Sequence, residues 1–277
     1  MALFSMAGGV GQLIGPLSAP YLIQGNDFNL YFIFSGTFVV LSCLGMMFLV
    51  KETLPKEKQV KHEPGKKGIA GITGFIGSVK ALGIAFAVFL AAILVYRSGY
   101  TMIDPFFSIY LKDILKLDLS ATSYLFALRA ICTLTFAPIA GYMADRWGRK
   151  PTFLVGMALT VVALFGYTQM RGTNDIYLVR GLDAIAMVIL MNSIRTYTAD
   201  LLAPQVRGFG MGLQSTISQE SSTLGAIFGG YLIDTMGWNI VFLVAAVMAG
   251  VAFLIVQFGV PEPTKIVKKV NRTSQAY

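Results

Sequence analysis

The chain has 277 residues, of which 55% are hydrophobic and only 13% are charged, and its mean hydropathy is +0.67. Soluble domains carry about 25% charged residues, so this composition excludes an ordinary soluble enzyme, a disordered chain and a fibrous protein. In a soluble chain the net charge of +8 would suggest nucleic acid. In so apolar a chain we expect that charge to collect on one side of a lipid bilayer, and we expect no nucleic-acid partner.

Eight stretches are long and apolar enough for membrane-spanning helices, which need about 20 residues each. In chain order they lie near 5–24, 29–50, 80–103, 121–143, 151–169, 176–198, 208–233 and 238–259. The third either ends at Pro105 or continues past it to Tyr110, because proline kinks or breaks a helix. The pattern predicts an all-α integral membrane protein with eight transmembrane helices.

The basic residues are unevenly distributed among the predicted loops. Of the 22 lysines and arginines, sixteen fall on one side of the predicted membrane, three on the other side and three inside spans. Cytoplasmic loops carry such an excess. We therefore predict a multi-pass protein of the cell membrane with both termini in the cytoplasm.

A similar order of features occurs near both ends of the chain. Gly11 and Gly15, followed by Pro16, precede a Tyr-Leu-Ile triplet and a short polar loop, and Gly225 and Gly229 precede the same triplet and a loop. Two glycines one turn apart allow another helix to approach closely. The pattern is either generic helix packing or a sign of two repeated halves, which are the usual construction of secondary transporters.

The loop between the fourth and fifth predicted helices carries the most specific motif. It reads Gly141-Tyr-Met-Ala-Asp145-Arg146-Trp147-Gly148-Arg149-Lys150. A basic cytoplasmic loop alone would not require the glycines and the aspartate at these positions. Gly148 suits a sharp turn, and Asp145 at a helix end can meet an arginine or a helix N-terminus. The candidate functional residues of this loop are Gly141, Asp145, Arg146, Gly148, Arg149 and Lys150.

This string resembles the G-x-x-x-D-R-x-G-R-K signature of the major facilitator superfamily and matches it at every fixed position. The resemblance implies that these six loop residues form a gate that holds the cytoplasmic side closed. Gly11-x-x-x-Gly15-Pro16 resembles a motif of that family's antiporters, with Ala19-Pro20 where the motif has two glycines. Arg180-Gly-Leu-Asp183 resembles the family's arginine-containing motif. The drug/proton antiporter branch is the part of the family that these motifs resemble most.

The resemblance implies a division of the chain into parts of a twelve-helix bundle. Residues 1–50 are similar to the last two helices of an N-terminal half, 51–79 to the cytoplasmic central loop, 80–259 to a complete six-helix C-terminal half and 260–277 to a cytoplasmic tail. The N-terminal half is then incomplete. The alternatives are a gene fragment, a wrongly assigned start at Met1 and a genuinely short protein, and the missing helices are a candidate partner as a separate chain.

Ionisable side chains inside the predicted spans are functional candidates, because lipid makes an unpaired charge expensive. Arg129 and Glu220 fall near the middle of their helices, while Arg180 and Asp183 are three residues apart and can pair. A structural contact between helices is the alternative for each. The candidate substrate- or proton-pathway residues are Arg97, Arg129, Arg180, Asp183 and Glu220.

The function that these features imply is transport of a small molecule by alternating access, without a cofactor. The sequence contains no cluster of metal-binding residues and no catalytic or nucleotide-binding motif, so we expect no enzyme. Proton-coupled multidrug or metabolite efflux is the leading hypothesis, with Glu220 or Asp183 as proton carrier. The alternatives are a sugar or organic-anion symporter or uniporter, in which Arg97 and Arg129 bind the anion, and a non-transporting truncated membrane subunit.

Overall fold

The computed structural model describes residues 2–23, 28–49, 83–170, 174–202 and 206–262. These ranges contain eight long helices: α1 Ala2–Leu22, α2 Asn29–Leu49, α3 Gly83–Thr101, α4 Leu119–Trp147, α5 Arg149–Thr168, α6 Asp175–Leu201, α7 Arg207–Met236 and α8 Trp238–Gly259. All eight predicted helices are confirmed, with ends that differ from the prediction by about four residues at most. The predicted central loop and most of the predicted tail lie outside the described residues.

The chain beyond α3 is helical but irregular. A 3-10 turn, Asp104–Phe106, follows the helix and leads into a single α-turn, Phe107–Ile109, and a π-helix, Tyr110–Ile114. Pro105 lies in the first turn of the 3-10 segment, where its missing N–H is tolerated. The third span therefore continues past Pro105 and extends a few residues beyond its predicted end. We call residues 104–114 the broken segment.

Helices α3 to α8 form one bundle. Helix α3 packs against α7 and α8, α5 packs against α6 and α8, and α4 packs against α6. Helix α1 lies along α4, and α2 packs on α1. One end of the bundle, here the basic end, contains the α4–α5 junction and the C-terminal ends of α6 and α8. The opposite end, here the aromatic end, contains the broken segment, where the rings of Tyr110 and Trp238 are 4.9 Å apart.

Aromatic side chains fill the core of this bundle. The ring of Phe89 lies 4.9 Å from that of Tyr197, and Tyr167 stacks on Phe242 at 4.9 Å. Offset and edge-to-face contacts of this kind stabilise a core beyond the area they bury. Among the described side chains of α1 and α2, only Ala19 is as buried as the core residues.

The outer surface of the bundle is apolar. Large hydrophobic side chains such as Phe258, which is 83% exposed, cover it. In the described part of the chain, five helical segments are long and apolar enough to cross a membrane: Gly83–Ile114 and helices α4, α5, α6 and α8. Helix α7 contains the polar run 214–223, which lowers its hydropathy. That all eight helices span a membrane stays a prediction.

The two glycine pairs behave differently. A Cβ atom on Gly225 would lie 2.3 Å from the carbonyl oxygen of Ser98, and one on Gly229 would lie 2.3 Å from that of Met102, so α7 meets the backbone of α3. A Cβ atom on Gly11 or Gly15 would meet no described atom within 4 Å. The predicted close packing is therefore present at the second pair only. The first pair and Pro16 belong to α1, where Gly11 and Gly15 line an apolar cleft facing α2.

Candidate functional site

The most deeply buried charges of the described residues are Arg180 and Asp183, one turn apart on α6. Arg180 Nη1 donates a hydrogen bond to Asp183 Oδ2 at 3.0 Å, and the two side chains are 3% and 4% exposed. A charge buried this deeply requires a partner. The structure thus forms the pair that the spacing of three residues predicted, and its role in transport stays a prediction.

Two tyrosines from neighbouring helices surround the Asp183 carboxylate. The hydroxyl of Tyr100 on α3 donates to Oδ2 at 3.2 Å, and that of Tyr167 on α5 donates to the same oxygen at 3.4 Å. Three helices therefore meet at one carboxylate. A change in the charge of Asp183 would act on the packing of all three, because it alters hydrogen bonds to each.

Aromatic rings enclose the Arg180 guanidinium. Its Cζ atom lies 4.2 Å from the ring centroid of Phe107 and 5.6 Å from that of Phe126, within the range of cation–π attraction. The Nε and Nη2 atoms of Arg180 are buried and have no hydrogen-bond partner among the described residues. Buried donors are normally paired, so this guanidinium has hydrogen-bonding capacity that the described protein does not use.

Arg129 pairs with a residue outside the predicted site set. Its Nη1 atom lies 3.5 Å from Asp104 Oδ1 in the broken segment. Glu220, the other predicted mid-membrane charge, lies on the exposed side of α7 and makes no ion pair or hydrogen bond with a described residue. The structure therefore does not bring Arg129 and Glu220 together.

Arg97 faces the polar run of α7. Its Nη2 atom donates to Ser222 Oγ at 3.4 Å, and Gln214 donates to Ser218 one turn further along the same helix. The Nε atom of Arg97 is buried and has no hydrogen-bond partner in the described part of the chain. The polar run thus meets protein on the side facing α3, where Ser221 is buried, and is open on the side carrying Glu220.

The predicted gating loop forms a tight turn at the basic end. Gly148 joins α4 to α5 with φ of +103°, in the region that favours glycine. Arg149 then contacts two carboxylates, Asp145 at 3.0 Å and Asp200 at the end of α6 at 2.9 Å. One guanidinium therefore connects the ends of three helices.

A second connection at the basic end joins the start of α5 to the end of α8. The Glu262 carboxylate accepts hydrogen bonds from the backbone N–H groups of Arg149 at 2.9 Å and Lys150 at 3.1 Å. Lys150 Nζ donates in return to the carbonyl oxygens of Gln257 and Val260, both at 2.7 Å. An acid thus caps a helix N-terminus and a cation caps a helix C-terminus, each where the helix dipole favours it.

Two residues of the loop take no part in this network. Arg146 hydrogen-bonds to Tyr142 on its own helix and lies 5.7 Å from the centroid of that ring. Gly141 adjoins open space, with no described atom within 4 Å of a Cβ built there. The connections between helix ends therefore depend on Asp145, Arg149 and Lys150.

Comparison with known proteins places the chain in a family. The family model described as Major Facilitator Superfamily matches residues 89–275, about two thirds of the chain. The chain belongs to the major facilitator superfamily. The family assignment made from the loop motif is therefore confirmed, and the chain is a multi-pass membrane protein.

Several curated members of the superfamily are similar to the chain. Multidrug resistance protein 2 of Bacillus subtilis is 26% identical over 189 residues, 68% of this chain and 47% of that protein. Multidrug resistance protein MdtG of Dickeya zeae is 30% identical over 188 residues, 64% of this chain and 44% of that protein. The transporter paaT of Penicillium rubens is 27% identical over 146 residues, 52% of this chain and 26% of that protein. In each alignment the chain spans less than half of the relative's length.

Sequence patterns do not identify several of the polar residues that the structure places around the buried ion pair and at the basic end. The sequence does not single out Tyr100 and Tyr167, because tyrosines are common in apolar helices and nothing in their spacing indicates a shared carboxylate. The depth of Asp104 in the membrane does not follow from the sequence, because it depends on the path of the chain at Pro105. Glu262 had a signal: Pro-Glu-Pro follows α8, as Glu-Thr-Leu-Pro follows α2.

Proposed function

We propose that this member of the major facilitator superfamily moves a small molecule across the membrane by alternating access, and that it is an exporter driven by proton entry. Membership of a transporter superfamily supports the first part, and similarity to proteins named for multidrug resistance supports the direction. No cofactor is needed, because the proton gradient supplies the free energy. The cell membrane, with both termini in the cytoplasm, is the proposed location.

The observation that carries proton coupling is the buried Asp183 carboxylate. Low dielectric disfavours its charge, while Arg180 and two phenols favour it, so opposing effects act on one group. Uptake of a proton by Asp183 would remove the charge that pairs with Arg180. A helix bundle with two packings would then shift from one to the other, since the two protonation states stabilise different contacts.

Proton-driven efflux of a fluorescent cationic drug from inverted vesicles tests this function. Asp183→Asn is expected to abolish drug movement driven by a pH gradient while leaving drug exchange without a gradient. Asp234→Asn, which neutralises an exposed carboxylate on the same chain, is the matched control and should keep full activity. Equal gradient-driven efflux in both variants would remove Asp183 from the coupling and leave Glu220 to be tested by Glu220→Gln.

The basic end supplies the proposed gate. Arg149 and Lys150 tie the start of α5 to the ends of α4, α6 and α8. These contacts hold the ends of four helices of the bundle together at this end. We therefore assign to the loop the role of holding one conformation closed.

An organic anion is the second candidate substrate, and Arg97 is the observation that favours it. Arg129 is already neutralised by Asp104, whereas Arg97 has only the Ser222 hydroxyl and an unpaired Nε among its described contacts. An anion bound beside α7 would accept a hydrogen bond from Arg97 Nε. Competition by organic anions that is lost in Arg97→Gln and kept in Arg97→Lys would support this substrate class.

A further inference from the structure

A small cavity adjoins the buried ion pair and reaches toward the broken segment. Its volume is ≈ 10 Å³, which is about the minimum that admits one water molecule. A substrate molecule does not fit there. The polar side chains that line it are Tyr100, Asp104, Tyr167, Arg180 and Asp183.

The walls of this cavity match the hydrogen-bonding needs of a water. Arg180 lines the cavity. Its Nε and Nη2 atoms are buried and have no hydrogen-bond partner in the described structure. Buried waters make about three hydrogen bonds, to groups that protein atoms leave unsatisfied. The carboxylate oxygens of Asp104 and Asp183 are the acceptors on the same walls.

The two carboxylates differ in their access to solvent. The side chain of Asp104 is 41% exposed, whereas that of Asp183 is 4% exposed. Of the two carboxylates, Asp104 therefore lies at the surface of the described bundle and Asp183 lies inside it. Asp104 also has a cation beside it, since Arg129 Nη1 lies 3.5 Å from its Oδ1 atom.

We propose that a water molecule in this cavity connects Asp104 to Asp183 and is the route by which a proton reaches the buried carboxylate. The proposal rests on the proton coupling at Asp183 described above. Solvent protonates Asp104. The O–H bond of that acid breaks as the water accepts its proton, and the water passes one of its own to Asp183, forming a new O–H bond there. One proton has moved, the water is unchanged, Asp104 is again an anion, and Arg180 has lost its counter-charge.

The groups that face Asp183 come from every helix packed around it. Arg180 is on its own helix, Tyr100 and Tyr167 donate from α3 and α5, and Arg129 and Asp104 lie further off on α4 and the broken segment. The cations oppose protonation of Asp183, and burial favours it. Asp183 is then expected to release its proton when a helix movement again favours the charged carboxylate beside Arg180.

Infrared spectroscopy of the purified chain in lipid nanodiscs tests the route. The carbonyl stretch of a protonated Asp183 is identified by its loss in Asp183→Asn, and transfer to deuterium oxide shifts it as its proton exchanges. Leu164→Phe, which adds volume to a cavity wall, and Asp104→Asn, which removes the relay group, should each slow that exchange at least about tenfold. Leu90→Phe, at a buried position outside the cavity lining, is the matched control and should exchange at the wild-type rate.

The outcomes separate this route from the proposed function. An assigned band whose exchange is unchanged in both variants would overturn the water route and leave proton coupling at Asp183 standing. Absence of an assignable band over the pH range in which the chain stays folded would overturn both. Should Leu164→Phe fail to fold, exchange in Asp104→Asn decides, because that variant keeps the size of the side chain.

Discussion

At the scale of single residues, Glu262 contacts the start of α5 from outside the α4–α5 loop. Its contribution to stability can therefore be measured without changing the loop. Its carboxylate satisfies two backbone donors at the start of α5, where a helix N-terminus leaves donors unpaired. Glu262→Gln keeps the shape and removes the charge. We expect a loss of about 0.5–1 kcal/mol in stability, seen as a lower melting temperature in detergent.

The control for this prediction is Asp234→Asn, an exposed carboxylate with no hydrogen bond or ion pair to a described residue. It should melt as the wild type does. A melting temperature unchanged by Glu262→Gln would show that water replaces the carboxylate at no cost.

Arg149 gives a second prediction at this scale, concerning transport rather than stability. Its planar guanidinium reaches Asp145 and Asp200 at once, which a lysine ammonium cannot reproduce. Partly exposed pairs are worth roughly 0.2–1 kcal/mol, so Arg149→Lys should change the transport rate by no more than about fivefold. The measurement is initial efflux rate in vesicles containing equal amounts of protein.

Arg146→Lys is the matched control, because Arg146 contacts Tyr142 on its own helix and makes no hydrogen bond or ion pair with another helix in the described part of the chain. Its rate should equal that of the wild type. Equal effects of the two substitutions would mean that only the positive charge of the loop matters, and the proposed gate would lose its support.

At the scale of helices, the contact between α3 and α7 depends on the absence of side chains. A Cβ atom on Gly229 would overlap the backbone at Met102, and backbone cannot move aside as a flexible side chain can. Gly229→Ala should therefore push the helices apart and cost roughly 1–3 kcal/mol, measured by thermal unfolding in detergent. Gly15→Ala, in the same type of motif on α1, should cost nothing measurable, since space is open there.

A cross-linking test distinguishes displacement from general instability in the glycine variant. Cysteines introduced at Arg97 and Ser222, whose side chains contact each other between α3 and α7, should be cross-linked by a bifunctional thiol reagent more slowly when Gly229 is replaced by alanine. Unchanged cross-linking together with unchanged melting would show that the interface adapts, and the close approach would then have no structural role.

At this scale, sequence patterns predict the positions of the helices but not their detailed path or contacts. The positions of all eight helices follow from apolar length and from the proline and glycine residues between them. The irregular path beyond α3 does not, because a proline indicates a break without specifying whether 3-10, α or π turns follow. Likewise, the two glycine pairs look alike in sequence, and only their neighbours decide which one is a tight contact.

At the scale of the whole molecule, the distribution of charge predicts orientation. Lys112 belongs to the aromatic end and Arg207 to the basic end, and both side chains are exposed. In a chain without its native cysteines, Cys43 and Cys132, an impermeant thiol reagent added outside cells should label Lys112→Cys and not Arg207→Cys. Permeabilised cells, in which both should react, provide the control. Labelling in the reverse pattern would invert the proposed topology and, with it, the side from which protons reach Asp104.

Composition and short-range patterns predict the class of protein, the eight helices, the family and the pairing of Arg180 with Asp183. Each of these depends on composition or on residues close in the chain, where helix geometry is known in advance. The folded structure was needed to show that Tyr100, Asp104 and Tyr167 gather around that pair, that Arg129 is neutralised, that Glu262 caps α5 and that Glu220 stays exposed. These contacts join residues from different helices, and the rotation of each helix about its axis is fixed by packing against its neighbours.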